Sequence, residues 1–179
     1  MPSATISVKS FQPAYHLPEA QLDRFLMQVR VEYPTRDEEL AILMLDNDRQ
    51  KAEPKPPTSV LPQEALLEMR AAVAGLYLDP KLQRYIVDLV QATRDPSAYD
   101  RDLGRWCRFG ASPRASISLA RCGRALAWLK GDSFVSPEHI QAVAPEILRH
   151  RLLLSFEAEA EGIAGDDFIA KLLELVAIP

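Results

Sequence analysis

The rhythm of apolar and polar positions changes partway along the chain. Gln28-Val-Arg-Val-Glu-Tyr33 alternates with period two and reads as a short strand. Before it, Pro18 to Met27 reads as a short helix, with Pro18 suited to the first turn and Glu19 complementing the positive end of the helix dipole. Pro34 ends the strand. Thr35 and Glu38 then form a capping box for a helix from about Arg36 to Asn47, whose Leu40, Leu43 and Met44 share a face. Met1 to Pro13 shows no clear pattern. The prolines at 54, 56, 57 and 62 rule out a regular helix or central strand from Lys51 to Pro62, which reads as a linker and a domain boundary.

Past the linker, helical spacing takes over. Gln63 to Ala74 is one amphipathic helix. Leu76-Tyr-Leu78 is long enough only for a bridging strand. Pro80 opens a helix carrying Leu82, Tyr85, Ile86, Leu89 and Val90 at helical intervals. Asp95 to Ala111 reads as a loop. Ser112-Pro113 is an N-cap followed by an N1 proline, starting a helix that runs to about Lys130, with Gly131 at the expected C′ position. Ser136-Pro137 repeats that signal for a helix to about Leu148, and Asp166 to Leu175 forms the last one.

Composition narrows the function classes. The chain has 179 residues, 47% of them hydrophobic and 26% charged, which fits a globular protein with a filled core. A formal net charge of −4 argues against non-specific binding to nucleic acid or an anionic membrane, both of which call for a basic face. No apolar run approaches the roughly 20 residues that span a bilayer, and Met1 to Lys9 lacks the order of a signal peptide. Cys107 and Cys122 suggest free thiols in a reducing cytoplasm, and the three histidines, His16, His139 and His150, have no zinc-site spacing, so no metal ligands are expected.

Four short motifs, in order, resemble the MoxR-type AAA+ ATPases. Leu17-Pro-Glu-Ala-Gln-Leu-Asp-Arg-Phe25 is similar to the segment that ends that family's large nucleotide-binding subdomain, where an arginine reaches the ATP of the neighbouring subunit; here it is Arg24. Gly110-Ala-Ser-Pro-Arg-Ala-Ser116 resembles the sensor-2 segment, in which an arginine near a helix start contacts the γ-phosphate; here it is Arg114. Thr93-Arg94-Asp95, and Ser136-Pro-Glu-His-Ile140 followed by Leu148-Arg-His-Arg-Leu152, resemble parts of the family's lid. The resemblance implies a mainly α protein: residues 1–50 a remnant of the α/β nucleotide-binding subdomain, 51–62 a Pro-rich linker, and 63–179 a helical lid bundle. It further implies ATP with magnesium, ring assembly, usually hexameric, and chaperone-like work with von Willebrand A-type partner proteins in the cytoplasm.

The residue types suit the chemistry. Phosphoryl transfer places negative charge on phosphate oxygens, and arginine offers a planar, permanently charged fork that can give two parallel hydrogen bonds. A helix start adds free N–H groups, which also favour anions. No G-x-x-x-x-G-K-[ST] run occurs in the sequence, so the chain is not expected to hydrolyse ATP alone. The family's sensor-1 asparagine should fall near Ser7 and is not there. A truncated gene, a late start and half of a split ATPase all fit. A non-catalytic lid module that binds a partner or an intact paralogue is the alternative.

The remaining polar residues have plainer readings. Glu19 and Asp23 share a helix face and are expected to be solvated. His150 is packed or at the surface unless it contacts nucleotide or a neighbouring subunit. Trp106 and Trp128 pack in the lid, and Phe156 to Glu161 is a solvated acidic face. Leu22, Phe25 and Leu26 are expected to be left exposed without the sheet they face in the family.

Overall fold

The computed structural model describes strand 5–8 and residues 19–51 and 61–179. Residues 52–60, most of the expected linker, lie outside the described residues, as do residues 9–18 with the start of the first motif. In chain order the elements are β1 (Thr5–Val8), α1 (Glu19–Leu22), β2 (Gln28–Val31), α2 (Arg36–Lys51), α3 (Gln63–Gly75) and α4 (Pro80–Ala92). They continue with α5 (Arg101–Trp106), β3 (Cys107–Phe109), α6 (Pro113–Lys130), α7 (Pro137–Leu148), β4 (Leu153–Leu154), α8 (Phe156–Ala160) and α9 (Gly165–Leu175). This is the expected mainly α architecture, a small α/β piece followed by a helical bundle.

In the α/β piece, β1 and β2 pair in parallel, Thr5 opposite Gln28 and Val8 opposite Val31. Strand β1 lies where the sequence shows no pattern. Four residues are too few for a period to stand out, and pairing with β2 makes them a strand. Helix α1 is one turn, shorter than expected. The chain then bends through Arg24 and Phe25, whose N–H groups donate to the Gln21 and Leu22 carbonyls at 3.1 Å. At the start of α2 the capping box forms as predicted: Thr35 N–H and Oγ1 each donate to Glu38 Oε2 at 2.8 Å. Those bonds hold the Glu38 carboxyl below its ordinary range. The apolar face of α2 finds no cover among the described residues, with Leu40, Leu43 and Met44 more than half exposed.

The core lies in the bundle. Helix α4 buries Leu82, Tyr85, Ile86, Leu89 and Val90, the set its spacing predicts, against Leu119 of α6, Ile140, Ile147 and Leu148 of α7, and Phe168, Ile169 and Leu172 of α9. Helix α6 stops at Gly131, whose φ of 82° only a glycine adopts cheaply. There Asp132 N–H reaches the Ala127 carbonyl at 2.9 Å and Gly131 N–H the Trp128 carbonyl at 3.0 Å, a Schellman closure. At the start of α7 a histidine takes the place usual for Glu or Gln in a capping box: Ser136 N–H donates to His139 Nδ1 at 3.0 Å, and His139 Nε2 faces Asp132 at 2.9 Å.

The segment expected to be a loop, Asp95 to Ala111, is instead largely ordered. Asp100 accepts from the N–H groups of Asp102 and Leu103 at 2.8 and 3.1 Å and so caps α5, and β3 pairs antiparallel with β4. The acidic run after Ser155 is only partly a solvated face. Glu161 accepts from Trp106 Nε1 at 2.8 Å, and Glu157 and Glu161 flank Arg105 at 3.4 and 2.5 Å. Trp106 packs against the core, as expected, and Lys171 lies 4.9 Å over its ring.

Phe168, fully buried, pins α9 to this core. Phe168→Ala is expected to lower unfolding free energy by about 3–5 kcal/mol in a urea titration, through lost burial plus the cavity left behind. A loss below about 1 kcal/mol would mean that α9 is peripheral to the fold.

Candidate functional site

Two arginines from distant parts of the sequence are brought to one cleft, each by a separate device. Arg114 stands just inside the start of α6, and that start is fixed from behind. Thr93, fully buried, accepts from Ala111 N–H through Oγ1 at 2.9 Å and itself donates to the Val90 carbonyl at 2.7 Å. Arg94 Nε donates to the Ala111 carbonyl at 2.7 Å. Gly110 passes so close that a Cβ there would sit 2.2 Å from the Thr93 carbonyl oxygen. The chain emerges at Ser112, whose Oγ accepts from Arg114 N–H at 3.2 Å and caps the helix.

The second device is Arg151, whose side chain is 1% exposed. Its guanidinium donates to the carbonyls of Phe25 at 2.5 Å, Asp23 at 3.3 Å, Leu26 at 3.4 Å and Ile147, to Ser118 Oγ at 3.3 Å, and to Asp23 Oδ1 at 3.2 Å. A guanidinium with five N–H donors is suited to gathering several backbone oxygens in this way. Burial lowers its pKa from the ordinary arginine value, opposed chiefly by the Asp23 charge, and an arginine stays protonated nonetheless. Arg24 lies between the two anchored residues Asp23 and Phe25 and projects outward.

Asp23 joins the two devices. Its carboxylate accepts from Ser112 Oγ at 2.9 Å through both oxygens, faces Arg151 at 3.2 Å, and lies 3.6 Å from Arg114 Nε. The expectation of a solvated carboxylate sharing a face with Glu19 does not describe it: Asp23 lies past the end of α1 and is largely enclosed. Leu26 and Met27 likewise pack against the lid core, where Leu26 was expected to be bare. Arg149 supports the same seam: it donates to both oxygens of Asp166, at 2.8 and 3.2 Å, and to the Gln28 carbonyl at 3.0 Å.

The result is a cleft of about 360 Å³ lined by Asp23, Arg24, Phe25, Leu26, Arg114, Ile117, Ser118, Arg121 and Arg151. It holds four arginines and one carboxylate, and that carboxylate is already engaged. Among the described residues the Arg24 guanidinium has no partner, and the Arg114 side chain is 58% exposed. Such a wall attracts anions and is suited to phosphate oxygens. The donor set of the cleft, four guanidinium groups and one carboxylate already engaged, fits phosphate oxygens rather than a cation. Sequence reasoning singled out Arg24 and Arg114 and missed Asp23, Arg121 and Arg151. The available signal for Arg151 was its place between Leu148 and Leu152, where a charge has to be buried with partners.

His150 packs into the seam, its Nε2 3.4 Å from the Phe25 carbonyl. Burial, reinforced by the Arg151 charge, lowers its pKa to about 4 from the ordinary 6.5. It does not line the arginine cleft.

The family model for the AAA lid domain matches residues 107–172. Chaperone MoxR1 of Mycobacterium tuberculosis is 36% identical over 185 residues, a match covering 100% of this chain and 48% of that protein. Protein MoxR of Paracoccus denitrificans is 34% identical over 150 residues, covering 79% of this chain and 44% of its own. A solved structure from Cytophaga hutchinsonii, described as a candidate ATPase, superposes with a TM-score of 0.86 at 34% identity, covering 96% of this chain and 52% of that one. The chain thus spans about half the length of the curated relatives it matches.

Arg151→Met is expected to cost about 3–5 kcal/mol in chemical denaturation, because the carbonyls and carboxylate it satisfies stay buried. Amide hydrogen exchange should accelerate at residues 23–27 before it does in α4; unchanged protection there would mean the seam is held by something else. For His150, a depressed folded pKa means that the unfolded chain binds the extra proton first. The stability it contributes is complete above about 6.5 and is lost as pH falls toward about 4. His150→Asn should flatten the slope of stability against pH in that window, and a wild-type slope retained by the variant would point to another group.

Proposed function

The chain belongs to the MoxR-type AAA+ proteins over the half of their length that it spans, and from that premise we propose that it supplies the lid and two phosphate-contacting arginines of an ATP-driven ring. The observation that carries the reading is the convergence of Arg24 and Arg114 on one outward-facing cleft. These arginines stand 90 positions apart in sequence, and each is held by its own buried support. A phosphate group entering the cleft would face a wall that both arginines line.

In this reading Arg24 is the arginine that acts in trans and Arg114 the sensor-2 arginine, and both address the γ-phosphate of ATP carried by an adjacent protomer. Arg24 and Arg114 would donate charge-assisted hydrogen bonds to non-bridging phosphate oxygens and offset the negative charge that develops during transfer. Their supports are rigid, so little reorganisation accompanies the reaction. Magnesium would be held by groups other than the described residues. Because Arg114 rides on the lid and Arg24 is clamped to the lid by Arg151, the two arginines are held in a fixed relation when they meet nucleotide.

The chain alone is proposed not to turn over ATP, since its sequence has no phosphate-binding loop. A hexameric ring, a von Willebrand A-type partner, chaperone-like remodelling and a cytoplasmic setting belong to the proposal on family grounds. That Chaperone MoxR1 is named for chaperone activity supports this for the relative. Among the described residues no helix is long and apolar enough to cross a membrane. The alternative of a non-catalytic module that binds a partner or an intact paralogue draws support from the uncovered apolar face of α2.

The test is reconstitution. The purified chain should show no ATP hydrolysis above background, and adding a MoxR-type polypeptide that bears the phosphate-binding loop but lacks its own trans arginine should restore turnover. Arg24→Ala should remove most of the restored rate, about 10³-fold if it behaves like arginine fingers elsewhere, and Arg114→Ala should remove a comparable share. Restored turnover indifferent to both substitutions would defeat the reading and favour the binding module.

A further inference from the structure

Arg121 is the arginine of the cleft to which no motif gives a role. It lies seven residues after Arg114 on α6, and seven residues return a helix to nearly the same face, displaced by about 10 Å along its axis. Ser118, one turn from each, turns its hydroxyl into the cleft floor as the acceptor for Arg151. Arg121 is exposed, and among the described residues its side chain makes no hydrogen bond or ion pair, although it lines the cleft beside Arg24 and Arg114.

The charges along this wall are unevenly matched. The one carboxylate, Asp23, sits at the Arg114 end, 3.6 Å from that guanidinium, and is shared with Ser112 and Arg151. Nothing acidic lines the Arg121 end. The backbone positions that carry this unmatched positive charge thus lie about 10 Å apart along the helix, farther than one phosphate group is wide. A ligand that satisfies it carries several negative groups in a row.

We infer that Arg121 is a third phosphate contact, binding the part of a polyphosphate chain that lies beyond the group held by Arg24 and Arg114. The inference rests on the proposed phosphate site and extends it from a terminal phosphate to a row of them. Arg121 is then a binding and positioning residue: it sets the direction in which the triphosphate lies across α6 and favours tri- over monophosphate. It adds charge-assisted hydrogen bonds without taking part in bond making.

The probe is inorganic tripolyphosphate, with orthophosphate as its short counterpart, titrated at low salt into the full chain labelled with ¹⁵N-arginine. The Nε–H signals of Arg24, Arg114 and Arg121 should shift along one tripolyphosphate isotherm, while orthophosphate should leave Arg121 nearly unmoved. Arg121→Gln should weaken tripolyphosphate about tenfold and orthophosphate by less than about twofold. Arg114→Gln should weaken both, and Arg84→Gln, on α4 away from the cleft, neither. If Arg114→Gln has its effect and Arg121→Gln has none, the third contact is wrong and the phosphate site stands. If tripolyphosphate moves none of the three signals, or Arg114→Gln is also silent, the phosphate site and the third contact fall together. Shifts at Arg121 with an acidic peptide but not with tripolyphosphate would assign it to a protein carboxylate and overturn the inference.

Discussion

One buried guanidinium holds the two halves of this structure in register. Arg151 leaves water almost entirely, and it does so facing backbone oxygens of the segment 23–26 and the carboxylate of Asp23. A charge buried without such partners would cost several kcal/mol. Its presence therefore demands that the short turn after α1 lie where its carbonyls can be reached. Among the described residues the α/β piece offers little else to fix that turn, since α1 is a single turn and residues 36–50 of α2 are exposed. Specificity of position here comes from polar satisfaction, with the apolar contacts of Leu26 and Met27 adding to it.

What could be seen in advance follows the range of the interactions involved. The starts of α6 and α7 and the end of α6 are set by residues within a few positions of one another, so Ser112-Pro113, Ser136-Pro137 and Gly131 mark them plainly. The core set of α4 was legible for the same reason, its period being written in consecutive turns. By contrast, β1 exists because β2 lies beside it, and β3 because β4 does. Helix α5 is six residues long and relies on Asp100, whose carboxylate Lys171 of α9 holds at 2.7 Å. Those links span distances in sequence that no local period records.

The same distinction governs the site. Arg24 and Arg114 belong to runs that resemble a known family, so the runs nominate them. Asp23 and Arg151 matter through each other across 128 positions, and a carboxylate on a short helix and an arginine in a basic triplet each have an unremarkable reading alone. The Thr93, Arg94 and Gly110 lock was half visible: the motifs containing Thr93, Arg94 and Gly110 stood out, and nothing in them showed that the glycine lies against Thr93. Close approach of Gly110 to the Thr93 carbonyl is a tertiary fact, and it decides where α6 begins.

The distribution of partners around Asp23 sets what a phosphate can change. Its bonds to Ser112 and Arg151 are short and largely enclosed, whereas its approach to Arg114 is 3.6 Å with the guanidinium mostly in solvent. An anion entering the cleft competes for Arg114 alone, since exposed ion pairs of this length contribute little and exchange readily. Releasing Arg114 leaves Ser112, Asp23 and Arg151 bonded as before, so the helix start and the turn bearing Arg24 keep their places. The scaffold is thus stiff where it positions the arginines and loose at the single contact that a ligand has to displace.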